Sequence, residues 1–284
     1  MLGIKESLSM NDKFGKVDHS INNRPFETKH ILLCFDSRLL EQAKVLLLGI
    51  RENLTGEVRV FCVVDNEILK SCEKLRVFAE NIGVNLTCHS ETDLVPHQKT
   101  KARARISYQK YFFEAFTPPN LKKLVYMDID TLPVRNFDEL FRIDFHQPFA
   151  GVALDDFKSR RFERWADTMN AGIIVFNVSV WVSMQLASKC LQFILDFPNP
   201  ENLYDELVIN HAYYKYWEHL SSHYNTTYSK TFFMFRKKTR SNIRIVHFMG
   251  PRKPWKRSLV TPLNAHLIRT YKRRQNEIFK VLNS

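Results

Sequence analysis

The sequence predicts an α/β fold with a mostly parallel central sheet flanked by helices. Three observations predict it. From His30 onward, strand-length runs rich in β-branched and apolar residues alternate with helix-length runs whose apolar residues recur near i, i+3, i+4 and i+7. Of the 284 residues 44% are hydrophobic, enough for a substantial core, and no internal repeat or low-complexity tract interrupts them. Only 8 glycines and 11 prolines are present, which excludes fibrous and disordered classes. Alternation of this kind builds βαβ units, and such sheets bind ligands at the carboxyl ends of their strands.

The elements follow in order. HILLCF, from His30, is the first strand; residues 39–53 form a helix; VRVFCVV, from Val58, is the second strand; residues 67–83 form a second helix and NLTCH a short third strand. A longer helix is expected over residues 101–116, closed by Pro118-Pro119, before a strong strand at 124–127 that ends in Asp128-Ile129-Asp130. Strands at 149–154 and 172–176 precede helices near 178–197 and 205–217. A last strand, 243–248, leads into the turn Gly250-Pro251-Arg252-Lys253-Pro254-Trp255. Residues 263–282 read as a helix with Leu263, Leu267, Tyr271, Ile278 and Leu282 on one face. The expected organisation is a loose extension over 1–28, one domain over 29–261 and a basic helical tail over 262–284.

The first twenty residues are polar and lack the apolar stretch of a secretory signal, and nowhere does an apolar run reach the roughly 18 residues of a membrane span. The expected compartment is the cytosol. Five cysteines without a CxxC pair, two of them (Cys34, Cys62) inside apolar runs, are expected to be structural. The net charge of +12 is concentrated at one end: residues 236–284 hold 14 basic residues and one acid, Glu277, so the rest of the chain is close to neutral. Such a tail suits either a solvated surface, as the charged face of a soluble helix, or an anionic partner: nucleic acid, acidic lipid or a phosphorylated substrate. No zinc finger, RNP motif or recognition helix accompanies it, so nucleic acid is not the expected partner.

Asp128 and Asp130 carry the most chemistry. Residues i and i+2 of a strand project to one side, so two carboxylates there can meet one cation where the strand ends. A turn rich in Asp is the plain alternative. DIDTL also looks like the DxDGT motif of haloacid dehalogenase phosphatases, but that motif opens its fold and has a Gly where Thr131 stands here.

LVYMDIDTLPVRNFDEL, from Leu124 to Leu140, resembles the DxD segment of glycosyltransferase family 8, which contains glycogenin and bacterial lipopolysaccharide glucosyl- and galactosyltransferases. Three further segments resemble that family in the same order: Asn170-Ala171-Gly172 in MNAGIIVFN, Asp205-Glu206 with Asn210 in DELVIN, and HFMGPRKPW from His247 to Trp255. The likeness spans roughly residues 30–255.

The resemblance implies a GT-A, Rossmann-like nucleotide-diphospho-sugar transferase fold. It implies a metal-dependent enzyme moving a hexose, glucose or galactose, from a UDP-sugar to a glycan, lipopolysaccharide or glycoprotein acceptor with retained configuration. On this likeness Asp128, Asp130 and His247 hold the divalent cation, with Ile129 between the two acids. One imidazole among oxygens favours Mn²⁺ over Mg²⁺. Lys253 and Gly250 would meet the diphosphate, as would Arg105, with Arg103 in a competing register. Asp36 corresponds to the family aspartate near the base, although Ser37-Arg38-Leu39 departs from the usual continuation. Asn170, Ala171, Gly172 and Asp155 would line the donor sugar and the acceptor's approach. Glu206, where the family more often has Gln, and Asp205 beside it would face the reacting sugar, Glu206 either as nucleophile or as a positioning and charge-stabilising group. The basic tail suggests peripheral attachment to the anionic inner leaflet through residues 263–282, with Leu267, Ile268 and Tyr271 beside Arg269, Lys272, Arg273 and Arg274. A catalytically silent nucleotide-sugar scaffold and a nucleic-acid-binding protein are the alternatives.

Overall fold

Strands β1 (Lys29–Phe35) and β2 (Val58–Val64) bury almost every side chain, as strands do when helices cover both faces of their sheet. Between them α1 (Leu40–Asn53) turns Ala43, Val45, Leu46, Leu47 and Ile50 inward. There follow α2 (Cys72–Asn81), β3 (Asn85–Ser90), α3 (Ala102–Tyr108), β4 (Lys123–Met127), β5 (Thr131–Pro133), β6 (Phe149–Ala153) and β7 (Met169–Asn177). Beyond them lie α4 (Val178–Ser183), α5 (Leu186–Asp196), α6 (Asp205–Ala212), β8 (Glu218–His219), β9 (Thr226–Thr227), β10 (Ile245–His247) and α7 (Ala265–Leu282). The structure is a computed structural model that describes residues 27–65, 72–95, 102–154, 168–199, 202–213, 217–227, 242–251, 253–256 and 265–282.

The large sheet has the order β3-β2-β1-β4-β7-β6-β8, parallel throughout except that β7 runs against both of its neighbours. The chain works outward from β1 to β3 and then returns to the other side of β1 as β4. This reversal opens a crevice at the carboxyl ends of β1 and β4, where open α/β sheets bind ligands. A second sheet, β5-β10-β9, stands at that end and pairs His247 with Thr131 and Thr227. One core cluster lies between the large sheet and α1, α2 and α7; the other, rich in Phe, Tyr and Trp, lies on the opposite face.

Three expected helices differ in detail. The stretch after α3 tightens into a 3₁₀ helix over Gln109–Ala115, with Phe112 off helical angles (φ −110°, ψ 26°), and Gln109 through Phe113 are all buried. An amphipathic α-helix could not bury five consecutive residues on one side. The run expected over 178–197 breaks at Gln185, whose φ of 53° separates α4 from α5. The helix expected over 205–217 ends at Ala212.

The C-terminal helix is part of the fold. In α7, Leu267, Tyr271 and Ile278 join the core cluster on the α1 side. Arg274 is 1% exposed, donates from Nε to Glu52 Oε2 at 2.9 Å and from Nη2 to the carbonyl of Pro133 at 2.8 Å. Gly49 makes this possible, because a Cβ there would lie 2.4 Å from Arg274 Nη1. The membrane reading of the tail is therefore corrected in its residues: Leu267, Ile268, Tyr271 and Arg274 are buried against the body of the protein and face no lipid. All five cysteines are free thiols, four buried and Cys88 partly so. Among the described residues no helix is long and apolar enough to cross a membrane.

Candidate active site and metal centre

Strand β4 ends at Met127, and the two acids stand in the turn that follows. Thr131 donates to the carbonyl of Asp128 from its backbone N at 3.0 Å and from Oγ1 at 2.7 Å, while the Asp128 N–H bonds the carbonyl of Gly172 at 2.8 Å. The carboxylates thus converge across a hydrogen-bonded turn, not through the two-residue alternation of a strand. Ile129 between them packs toward the core on the α1 side. Thr131 continues directly into β5, and the antiparallel register of β5 with β10 brings His247 across from residues 116 positions earlier.

His247 Nε2 lies 3.0 Å from Asp130 Oδ1 and 3.5 Å from Asp128 Oδ2, and one ligand atom of each residue falls within 4.8 Å of the others. Two carboxylates and an imidazole at that spacing suit a divalent cation of intermediate hardness. The acids keep 26% and 16% of their side chains exposed whereas His247 keeps 4%, so the cluster is open on its acid side. Gly172 is a requirement of this geometry: a Cβ there would lie 2.2 Å from His247 Cε1. The Lys253 ammonium bonds Asp130 Oδ2 and the carbonyl of Phe248. Gly250 adopts φ +77° with nothing near a Cβ position, so its role there is the turn conformation.

A second group adjoins the first. Lys110, fully buried, donates to Asp205 Oδ2 at 2.7 Å and to the carbonyl of Ala171 at 3.2 Å, lies 3.6 Å from Asp128 Oδ1 and sits 4.2 Å from the centre of the Tyr126 ring. The Tyr126 hydroxyl donates to Asp128 Oδ1 at 2.6 Å. At the start of α6, Asp205 and Glu206 are its first residues, and Tyr111 anchors that turn by donating to the Asp205 carbonyl at 2.7 Å. Glu206 Oε1 accepts from Asn170 Nδ2 at 2.6 Å, and Asn210 fixes α6 to β7 through the backbone of Met169.

The electrostatics divide the acids. Burial pushes the Asp128 carboxyl above its ordinary value; Lys110 and His247 pull the other way and Asp130 adds to the rise. Burial would raise Asp130 as well, but His247 and Lys253 hold it well below the usual range. Burial would depress His247 and Lys110, yet Asp130 and Asp128 raise the imidazole, and Asp205 and Asp128 raise the lysine.

Elsewhere, Asp36 is buried at the end of β1 and accepts from Arg38 Nε at 3.1 Å, and Ser37 N donates to Asp65 Oδ2 at 3.0 Å. Arg105 is buried and bonds Glu91 through Nε at 2.8 Å. Asp155 lies outside the described residues, as does the side chain of Arg103. Sequence reasoning missed Lys110, Tyr126 and Asn225. Lys110 did carry a signal, since a lone lysine inside YQKYFF is costly to bury without a partner; Asn225 carried none.

The model of the family described as Glycosyl transferase family 8 matches residues 30–258. General stress protein A of Bacillus subtilis (strain 168) is 22% identical over 258 residues, covering 82% of this chain and 89% of that protein. Among solved structures, the glycosyltransferase GlyE of Streptococcus pneumoniae TIGR4 superposes with a TM-score of 0.66 at 17% identity, over 89% of this chain. This chain spans only 64% of GlyE. The galactosyltransferase LgtC, solved with donor and acceptor sugar analogues, superposes with a TM-score of 0.67 at 16% identity, over 87% of this chain and 95% of LgtC. With the DxD turn, the histidine across from it and the family match over most of its length, the chain belongs to glycosyl transferase family 8 and is a glycosyltransferase of the GT-A fold.

Proposed function

We propose that the chain transfers a hexose, glucose or galactose, from a UDP-sugar to a hydroxyl of a glycan, lipopolysaccharide or glycoprotein acceptor with retained configuration, using Mn²⁺ in preference to Mg²⁺. The observation that carries this reading is the meeting of Asp128, Asp130 and His247 with Lys110, Asp205, Glu206 and Asn170 at the carboxyl end of one sheet. A cation on the first three would act as a Lewis acid for the diphosphate that leaves. Lys253, Arg105 and the backbone at Gly250 would supply the remaining contacts to the phosphates, Ile129 would border them, and Asp36 with Arg38 would meet the base. Asn170, Ala171, Gly172 and Asp155 would line the sugar.

Lys110 is fully buried with its charge on Asp205, which supports a rigid floor under the sugar. Glu206, held by Asn170, would stabilise positive charge at the anomeric carbon and orient hydroxyls. Support for a hexose comes from the galactosyltransferase LgtC. Location belongs to the same proposal: the enzyme would work in the cytosol, against the anionic inner leaflet, through the outer face of α7. That face shows exposed Arg269, Lys272, Lys280 and Phe279, the last 69% exposed.

The test is a donor screen with Mn²⁺, following nucleoside diphosphate release from UDP- and GDP-hexoses. Release is expected from UDP-glucose or UDP-galactose, lost with chelator and restored by Mn²⁺. Tight donor binding with no release from any sugar would leave the silent scaffold instead.

A further inference from the structure

One group whose chemistry allows a single role determines how His247 is held. The backbone N–H of Gly172 can only donate, and it bonds Asn170 Oδ1 at 3.0 Å. On the other side of that amide, Asn170 Nδ2 donates to Glu206 Oε1 at 2.6 Å. Asn170 therefore offers oxygen to Asn225, which meets it with Nδ2 at 2.6 Å. The opposite corner of the Asn225 amide is then its oxygen, 3.0 Å from His247 Nδ1, so that nitrogen carries the hydrogen and donates it. The ring's other nitrogen, Nε2, faces Asp128 and Asp130. Asn170, Asn225 and His247 are 2%, 3% and 4% exposed, which leaves water little access to replace any link.

We propose that Asn225 is a positioning residue with two tasks. It holds His247 in the tautomer whose Nε2 lone pair faces the cation site, and it ties that imidazole through Asn170 to Glu206. The metal end and the sugar end of the site thereby share one geometry. The inference rests on reading Asp128, Asp130 and His247 as cation ligands. A partner that orients a ligating histidine commonly matters 10- to 100-fold in metal affinity or activity. A purely structural asparagine, closing the 3₁₀ turn at Ser222–Tyr224, would change the melting temperature and leave metal affinity alone.

The experiment measures Mn²⁺ binding to the full chain without donor, by the loss of the free-ion EPR signal, alongside Tm by circular dichroism. Asn225→Ala is expected to weaken the Mn²⁺ Kd about 10- to 100-fold. Asn225→Asp retains an oxygen for His247 but opposes oxygen to oxygen at Asn170. It is expected to keep or tighten the wild-type Kd while kcat for donor turnover falls about tenfold. Asn225→Ser replaces the alanine variant if that one does not fold. Equal Mn²⁺ affinity in wild type and Asn225→Ala overturns the proposal, as does an equal loss in Asn225→Asp and Asn225→Ala. A wild-type chain that binds no Mn²⁺ removes the cation reading itself, a result distinct from either.

Discussion

At the amino end of β1, Lys29 and Asp138 form a closed pair, whereas at the carboxyl end of its neighbour β4 the charges do not cancel. Lys29 Nζ lies 2.6 Å from Asp138 Oδ1, both side chains are 9% exposed, and Asp138 also accepts from Thr55 N at 3.0 Å, Thr55 Oγ1 at 2.6 Å and Asn136 Nδ2 at 3.0 Å. One cation meets one anion and the carboxylate oxygens are filled by donors of the chain itself. At the other end, Asp128, Asp130, Asp205 and Glu206 are set against Lys110, Lys253 and a single imidazole. A closed pair stabilises the fold and leaves nothing for a ligand. An excess of acids, all four of them partly exposed, is costly until further positive charge arrives, and that cost is what makes the site receptive.

The largest expected effect breaks the open cluster. Asp130→Ala should lower donor turnover at least about a thousandfold, with Mn²⁺ unable to restore it. Full turnover by this variant in metal-free buffer would end the cation reading. Next is Glu206→Gln, which keeps size and the acceptor for Asn170 while removing charge. A loss of about 10²- to 10³-fold in kcat with little change in donor affinity is expected for an electrostatic role. A much larger loss, with a glycosyl adduct trapped on Glu206 by a slow fluorinated donor, would make it the nucleophile.

The closed pair should respond in stability. Asp138→Asn is expected to cost about 3 kcal/mol by denaturant unfolding, because Lys29 stays buried without its counter-charge, and to leave Mn²⁺ affinity unchanged. Burial works against the Asp138 carboxylate, but hydrogen bonds from Lys29, Thr55 and Asn136 hold its pKa down to about 2. Since that is below the ordinary value of about 3.9, its contribution is complete above about pH 4 and fades as the pH falls through about 2. The stability gap between wild type and Asp138→Asn should close over that window; a constant gap would show that packing rather than charge was lost. The smallest effect concerns location: Lys272→Gln on the exposed face of α7 should weaken binding to vesicles containing phosphatidylserine about fivefold, from roughly 1 kcal/mol per near-surface cation. Unchanged binding would remove the outer face of α7 as the anchor.

The strands, and the chemistry of the ends they lead to, can be read from the amino-acid order. Runs such as HILLCF and VRVFCVV are apolar on both faces, which only a doubly covered strand tolerates. The acids at 128 and 130 were legible as a local pattern, while the Gly172 that a histidine leans on and the segment from His247 to Lys253 were legible through their resemblance to family 8 segments. Lys110 with Asp205, Asn225 with His247 and Arg274 with Glu52 were decided by tertiary structure alone. Those partners lie 95, 22 and 222 residues apart, and periodicity records which face of an element is apolar without recording what the face will meet. The same limit explains α7. Its sequence shows an apolar stripe beside basic residues, equally suited to a lipid surface or to a protein groove, and only the presence of Gly49 and Glu52 on α1 settles that the stripe faces inward.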